Sequence, residues 1–583
     1  MPTDRPWRRK SRHALDALRL RLSRAEALPQ LAILGVICGL LTGLVIIAFR
    51  LLVEVSQSFF LPGADPENYE GLAMMWRFLL PLAGGLTLGL VFHFLPAESR
   101  HVGVVHVMER LSYHQGRLPL RNAIVQFLGG ALSIIAGHSV GREGPAIHLG
   151  AASGSVAGRY LGLPNNSLRV LAGCGVAAAI AAAFNTPLAG VVFAMEVVIM
   201  EYTVAGFAPV ILAAVSATAL SQIVYGSAPA FAVPNIALGS LFELPFILAL
   251  GVAIGALAAA FIVIAGFFAK TFNFVPIWAR LTAAGALTGL LALLVPEIMS
   301  IGYDTVNAAL LGQLAFVTLG GIVIFKLLAT AAGIGLGLPG GLIGPVLVLG
   351  ATAGGILGIV GQALAPTEAS TIGLYVLLGM GAMMAGALQA PLAALTAVLE
   401  LTGNPNIIMP GMLAVIAATL TARVLFRQPS VFVVLLRARG LDYRNDPVTQ
   451  SLRRLGVGGR MDSHVTILPR RVEPARAQAE LALNPNWILV REDVKFVALL
   501  PAVDLARTLK EQPEAQEFDL LAIPAERSQV AGVLLQATLQ EALEKLKDTG
   551  AEAVYVSDDA VPGSEHVYGV LTRERIERSY RYS

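Results

Sequence analysis

The stretch IIAGHSVGREGPAIHLGAASG, residues 134–154, places two opposite charges inside a run of small and apolar residues. The charges are Arg142 and Glu143, and glycine and proline enclose them in the sequence GREGP. A charged side chain in the hydrocarbon of a bilayer costs about 2.5–3.5 kcal/mol at a helix centre. If the surrounding chain lies in a membrane, a carboxylate at this position therefore indicates a function.

The composition shows that the surrounding chain is of the membrane type. Of the 583 residues, 55% are hydrophobic and 14% are charged, whereas soluble domains carry about 25% charged residues. A spanning helix needs about 20 apolar residues, and runs of this length occur at 31–53, 78–95, 246–268 and 407–425. Other apolar runs are interrupted, as in LPLAGGLTLGL (80–90). Such runs predict helices that enter the membrane without crossing it.

The two ends of the chain differ from its centre. The segment 1–29 is rich in arginine, and the loop 62–71 is acidic and has no basic residue. The positive-inside rule therefore places the N-terminus in the cytoplasm, where basic residues contact anionic membrane lipid rather than nucleic acid. Residues 441–583 have mixed charges and alternate strand-like and helix-like runs. They predict a separate cytoplasmic α/β domain.

The central region contains an internal repeat. GREGPAIHLG at 141–150 matches GLIGPVLVLG at 341–350, with three glycines and the proline in register. Further along, TPLAGVVFAME at 186–196 matches APLAALTAVLE at 390–400, and a G-x-G sequence precedes each of these two segments. Matches in the same order predict two homologous halves.

The two halves cover about 30–230 and 240–427. Repeats in transporters commonly have inverted topology, with the substrate site at their interface. In both halves a glycine-rich loop is followed by proline and an apolar helix, which predicts a helix N-terminus with free N–H groups. Two such ends that converge form an anion site. Glu143 would then be a tethered competitor for that site, and hence a gate.

These motifs resemble the CLC family of chloride channels and proton–chloride antiporters. GREGP is a family motif in unaltered form, and GLIGP is similar to the family's Gly-x-Phe-x-Pro. The resemblance covers about 30–440, with 428–440 as a pore-lining segment. It implies an all-α polytopic membrane protein with two inverted repeats, one anion pathway in each subunit of a homodimer, and both termini in the cytoplasm. We expect a multi-pass protein of a prokaryotic inner membrane that needs no cofactor.

The resemblance also implies the binding residues. Glu143 would be the gating glutamate, and chloride would be the bound ion. Backbone amides near two helix starts would hold it, and these belong to the residues Arg142, Glu143, Gly144, Leu342, Ile343 and Gly344.

Two hydroxyl groups of the family's anion site are missing from this sequence. Val102 stands where the family usually has serine, and Phe432 stands where a pore tyrosine is expected. A hydrogen bond to a charged group contributes about 1.5–3 kcal/mol. We therefore expect weak anion affinity at the central site.

The proton pathway also departs from the family's antiporters. Their internal glutamate is usually found at the position of Val197, which cannot relay a proton. Glu143 can serve the outer end of such a pathway, and Glu196 is the remaining inner candidate. However, Glu196 recurs as Glu400 in the second half, which favours a packing or capping role. We therefore favour a passive anion channel, with a proton-coupled antiporter for chloride, another halide or nitrate as the alternative.

The C-terminal domain resembles a diverged pair of CBS domains. VALLPAVDL (497–505) keeps the family's aspartate as Asp504, and YGVLTRERI (568–576) keeps its threonine as Thr572. The resemblance implies a weak site for an adenine nucleotide, but a structural or dimerising role is favoured. Nothing at membrane depth resembles a catalytic triad or a metal site, so we expect no enzyme activity. His148, on an apolar helix, is expected to pack rather than to bind a metal.

Overall fold

A computed structural model describes residues 19–23, 27–200, 204–231, 236–366, 369–441, 447–558 and 566–581. Most of the basic segment 1–29 thus lies outside the described residues. The chain divides into two units. One contains Ala32–Ala157 and Arg169–Tyr443, and is called here the membrane unit. The other contains Met1–Leu31, Gly158–Leu168 and Arg444–Ser583.

The membrane unit is built from helices, and its described residues carry the following ones. They are α1 (Leu28–Phe60), α2 (Met74–Phe94), α3 (Gly103–Tyr113), α4 (Leu120–Ile135), α5 (Glu143–Tyr160), α6 (Asn165–Phe184), α7 (Pro187–Phe193), α8 (Val204–Tyr225), α9 (Leu244–Thr271), α10 (Ile277–Ala292), α11 (Tyr303–Leu310), α12 (Phe316–Leu336), α13 (Ile343–Leu364), α14 (Ile372–Leu388), α15 (Pro391–Thr402), α16 (Ile408–Leu420) and α17 (Val431–Ala438). Two π-helical segments, Ala194–Ile199 and Thr421–Leu425, continue α7 and α16.

Within the described ranges, 8 helices are long and apolar enough to cross a membrane. They are Leu28–Phe60, Met74–Phe94, Asn165–Phe184, Gly206–Tyr225, Leu241–Thr271, Phe316–Leu336, Ile343–Leu364 and Pro405–Leu425. The four long runs predicted from the sequence all fall in this set, which confirms a multi-pass membrane protein. Several shorter apolar helices accompany them.

The prediction that the run 80–90 is interrupted was wrong, whereas the prediction of a spanning run at 78–95, which contains it, agrees with the structure. Residues 80–90 lie inside the continuous helix α2, although Pro81 is within it. The glycines instead allow α2 to approach α10 closely. A Cβ atom at Gly89 would lie 2.6 Å from the carbonyl oxygen of Trp278, and one at Gly85 would overlap that of Leu281. Small residues at a helix contact explain this interruption of the apolar run.

The two halves of the membrane unit make equivalent contacts. Gly150 of α5 packs on the carbonyl oxygen of Gly175 in α6, and Gly350 of α13 packs in the same way on Gly379 of α14. In both pairs a Cβ atom would overlap the opposing backbone. The G-x-G sequences therefore serve close helix packing, with Gly175 and Gly379 in corresponding places.

The other unit contains two successive β-α-β-β-α arrangements joined in one sheet of order β1-β3-β4-β6-β7-β8. Each copy contributes three strands to this sheet, of which the first and second pair in parallel and the second and third pair antiparallel. The strands are β1 (Val465–Pro469), β2 (Arg471–Val472), β3 (Trp487–Glu492), β4 (Lys495–Pro501), β5 (Phe518–Asp519), β6 (Ser528–Leu534), β7 (Ala553–Ser557) and β8 (Val567–Thr572), and the helices are α18 (Pro447–Arg454), α19 (Pro474–Leu481), α20 (Ala502–Glu511), α21 (Leu539–Thr549) and α22 (Arg573–Arg581).

Each copy has its own hydrophobic core. Leu468, Ile488 and Leu500 belong to the first core, and Val554 and Leu571 belong to the second. The second copy also starts its helix α21 with a reciprocal capping box between Thr538 and Glu541. The predicted α/β character of residues 441–583 is thus confirmed.

Candidate functional site

The two glycine-rich loops of the repeats meet in the membrane unit. Gly141 and Gly341 exchange backbone hydrogen bonds of 2.8 and 2.7 Å as an antiparallel bridge. Helix α5 begins just after Gly141, and α13 begins just after Gly341. The carbonyl oxygens of Arg142 and Leu342 accept the first helical hydrogen bonds of these two helices. The loops therefore run in opposite directions and bring two helix N-termini together.

The Glu143 carboxylate lies at this junction and is fully buried. One of its oxygens accepts a hydrogen bond from the backbone N–H of Ile343, at the start of α13. A Cβ atom on Gly141 or Gly341 would overlap the carboxylate. The second oxygen has no hydrogen-bond partner among the described residues. An anionic group thus occupies the positive end of a helix that belongs to the other repeat.

A cavity of about 430 Å³ reaches this carboxylate. Its lining contains four of the predicted site residues, which are Val102, Glu143, Leu342 and Phe432. Val102 precedes α3 as its N-cap and makes no side-chain hydrogen bond there, and Phe432 is buried in the first turn of α17. Segments far apart in the sequence therefore contribute to one site. Neither Val102 nor Phe432 brings a hydroxyl group to it.

A second cavity, of about 190 Å³, lies at Arg142. The Arg142 guanidinium is 3.6 Å from the Glu54 carboxylate, which also binds Arg50 at 3.2 Å. Glu67, from the loop between α1 and α2, lines the same cavity, and burial raises its pKa to about 7, with Asp304 adding to the rise. Arg142 lines this second cavity, whereas its neighbour in the sequence, Glu143, lines the first.

The glutamates predicted as repeat partners cap each other's helices. Glu196 accepts hydrogen bonds from the backbone N–H groups of Leu392 and Ala393 at 3.3 and 2.7 Å, at the start of α15. Glu400 accepts two such bonds at the start of α7, the shorter one 2.7 Å from Ala189. These contacts agree with the capping role favoured from the sequence.

Val197 is buried in the π-helical segment and has no polar side-chain atom.

Removal of either cap should lower stability. We expect Glu400→Ala to destabilise the protein by about 1–2 kcal/mol, because two N–H groups at the start of α7 lose their acceptor. Glu196→Ala should have a similar effect, since it caps α15 in the same way. Thermal unfolding in detergent measures both, with Glu98→Ala at an exposed position as the control. Unchanged unfolding of both cap variants would contradict the assigned capping contacts.

Several contacts near the site had no signal in the sequence. The imidazole of His148 on α5 is 2.8 Å from that of His106 on α3, and the Arg110 guanidinium donates to His106 at 3.0 Å. Both imidazoles are fully buried. No cluster that could hold a metal ion occurs in the part of the chain that the structure describes. The partners of Arg142 were also missed, because they lie on α1 and in the loop after it.

The C-terminal candidates lie in different copies of the β-α-β-β-α arrangement. Asp504 of α20 is held by Arg507 at 2.6 Å and also accepts from the backbone N–H of Glu526 at 3.3 Å. Thr572 ends β8, and its hydroxyl accepts from the backbone N–H of Arg575 at 3.4 Å. Both side chains thus have internal hydrogen-bond partners.

Comparison with known proteins gives concordant results. The family profile "Voltage gated chloride channel" matches residues 84–423. The "Putative chloride channel protein ClcB-like" of Ralstonia nicotianae is 34% identical over 427 residues, covering 71% of this chain and 97% of the relative. The "H(+)/Cl(-) exchange transporter ClcA" of Salmonella paratyphi B is 28% identical over 434 residues, covering 72% and 91%.

A solved structure shares the fold. The crystal structure of a slow cyanobacterial Cl⁻/H⁺ antiporter superposes with a TM-score of 0.62 at 24% identity, covering 70% of this chain and 98% of that one. The fold, the paired repeat motifs and the profile match agree. The chain therefore belongs to the CLC family, whose profile is described as "Voltage gated chloride channel".

Proposed function

We propose that the chain conducts chloride passively across the membrane and that Glu143 gates this conduction. The observation that carries the proposal is the hydrogen bond from the Ile343 N–H to the Glu143 carboxylate. A helix N-terminus suits an anion, and here the anion is a side chain that competes with chloride. The amides of Arg142, Gly144, Leu342 and Gly344 complete the proposed binding group.

Proton-coupled antiport of chloride, another halide or nitrate is the second candidate function. Its support is the 28% identical relative that is named an H⁺/Cl⁻ exchange transporter. The buried Val197 favours the channel, since it has no group that can carry a proton. Glu196 could replace it only by leaving the helix end that it caps. Flux from liposomes, recorded with chloride and proton electrodes together, tests both candidates.

Chloride should bind weakly at the site between Val102 and Phe432, because neither side chain can donate a hydrogen bond to it. We expect calorimetry to give a dissociation constant in the millimolar range or weaker, about −4 kcal/mol. Val102→Ser should tighten binding by about tenfold, since it adds a donor to a charged ligand. Val102→Ala, which adds no hydroxyl, is the control. Micromolar binding by the unaltered protein would contradict this account of the site.

The C-terminal unit is proposed to be a diverged CBS pair with a structural or dimerising role. Its support is the repeated β-α-β-β-α topology. The internal partners of Asp504 and Thr572 argue against binding of an adenine nucleotide there. We further propose a homodimer in a prokaryotic inner membrane, with both termini in the cytoplasm. Exposed apolar side chains on α7 and α15, among them Leu188 and Leu392, agree with burial in a dimer or in lipid.

A further inference from the structure

Three arginines line the larger cavity beside the proposed anion site. Arg100 precedes α3, Arg280 lies in the first turn of α10, and Arg439 follows α17. These three residues are called here the arginine trio. Arg439 follows Phe432 by seven residues, which is about 10 Å along a helix, and its side chain is 36% exposed. Arg100 and Arg280 are also partly exposed, so the trio lies toward the solvent-accessible part of the cavity.

The charges of the trio are largely uncompensated. Arg100 donates to the carbonyl oxygens of His93 and Leu95, both at 2.9 Å, and neither oxygen carries a formal charge. The buried Nε of Arg280 has no hydrogen-bond partner within the described ranges. Arg439 is 3.8 Å from Glu109.

That one carboxylate is itself shared. Glu109 is also 3.6 Å from His101 and 3.9 Å from His114. The other titratable groups that line the cavity are His101 and Glu143. Three guanidinium groups thus face one cavity with a single nearby acid at this end. Like charges that converge in this way repel one another unless an anion lies between them.

The chemistry of the trio selects the class of anion. A guanidinium is planar and donates in a fork that matches the oxygens of phosphate-like groups, and it stays charged at all working pH values. A cavity of about 430 Å³ has room for a tetrahedral oxyanion. Deeper in the cavity, the side chains of Val102 and Phe432 have no hydroxyl group that could replace the water bound to such an anion. A doubly charged oxyanion would therefore remain at the trio.

We propose that Arg100, Arg280 and Arg439 bind a doubly charged tetrahedral oxyanion, such as sulfate or hydrogen phosphate, which blocks the path of chloride to Glu143. The blocking effect depends on the proposed transport function, whereas the binding does not. A lipid headgroup phosphate shares this chemistry, so the experiments separate the soluble ion from the lipid.

Binding is tested without transport. The full chain is purified in a neutral detergent and dialysed against radiolabelled sulfate at constant ionic strength. We expect saturable binding that Arg280→Gln weakens by about tenfold or more, because one charged donor pair is lost. Arg280→Lys should weaken it less, and Arg439→Gln provides a second variant. Arg121→Gln, at an exposed position on α4, is the matched control and should bind as the unaltered protein does.

Blocking is tested in phosphatidylcholine vesicles, where sulfate replaces gluconate at equal ionic strength. Sulfate should slow chloride efflux, and Arg280→Gln should raise the half-inhibiting concentration by about tenfold or more. Efflux that depends on Glu143 but is insensitive to sulfate would overturn the blocking site while leaving the transport function intact. Absence of sulfate binding in dialysis would overturn the proposal itself. Inhibition by added phosphatidylglycerol, with none by sulfate, would overturn it in favour of a lipid occupant.

Discussion

Glu143→Gln is expected to abolish the pH dependence of chloride flux and to raise the flux at neutral pH by about tenfold or more. The carboxylate accepts a hydrogen bond at the α13 N-terminus, where chloride is proposed to bind. A charge-assisted bond of this kind contributes about 1.5–3 kcal/mol. Glutamine cannot ionise, so it competes less well and its occupancy does not change with pH. Chloride efflux from liposomes at a series of pH values measures both effects.

Two further variants make this test specific. Glu143→Ala removes the side chain altogether and should be at least as active as the glutamine variant. Glu98→Gln neutralises an exposed carboxylate and should keep the normal pH profile. If Glu143→Gln instead retains the pH profile of the unaltered protein, Glu143 is not the gate.

A chloride gradient is expected to drive no uphill proton movement in reconstituted vesicles. Stoichiometric exchange needs a titratable group at each end of a proton path, and the inner position holds the buried Val197. The reversal potential should shift by about 59 mV for each tenfold chloride ratio, the value for one charge. It should not shift when pH alone is changed. A protonophore added at the end confirms that the vesicles can report a proton flux.

The opposite outcome would identify the relay. Sustained proton uptake that is driven by chloride and survives suppression of leak would overturn the channel interpretation. Glu196→Gln then distinguishes two routes, because it stops transfer through Glu196 but leaves a water path past Val197 open. Transfer through Glu196 would also require its carboxylate to leave the N–H groups of Leu392 and Ala393. The unfolding temperature of the Glu196→Gln variant reports separately whether the cap on α15 is lost.

The sequence predicted the features that depend on local pattern or on repetition. Apolar runs of spanning length predicted the membrane helices, since hydrocarbon requires every backbone group to be bonded within its own segment. The paired GREGP and GLIGP segments predicted that two helix starts meet. In the structure the loops before these helices pair at Gly141 and Gly341. Alternating patterns predicted the strands of residues 441–583. One run misled us, because glycines that serve close packing in α2 resemble glycines that interrupt a helix.

Other features follow from contacts between residues that are distant in the chain. Glu54 meets Arg142, and His106 meets His148, only after α1, α3 and α5 have packed. The arginine trio gathers residues from three separate segments of the chain. Periodicity indicates which face of a helix is apolar, but it does not indicate which neighbour covers that face.

Composition and the internal repeat were therefore sufficient to predict a membrane protein with two related halves and a carboxylate at their junction. They could not predict which backbone amide binds that carboxylate, which acid compensates Arg142, or which cations share the cavity. Those pairings depend on the packing of helices from both halves, because a side chain finds its partner across space rather than along the sequence. The Glu143 carboxylate illustrates both what the sequence determines and what the tertiary structure decides. GREGP predicted its presence, and only the folded chain brings it to the N–H of Ile343.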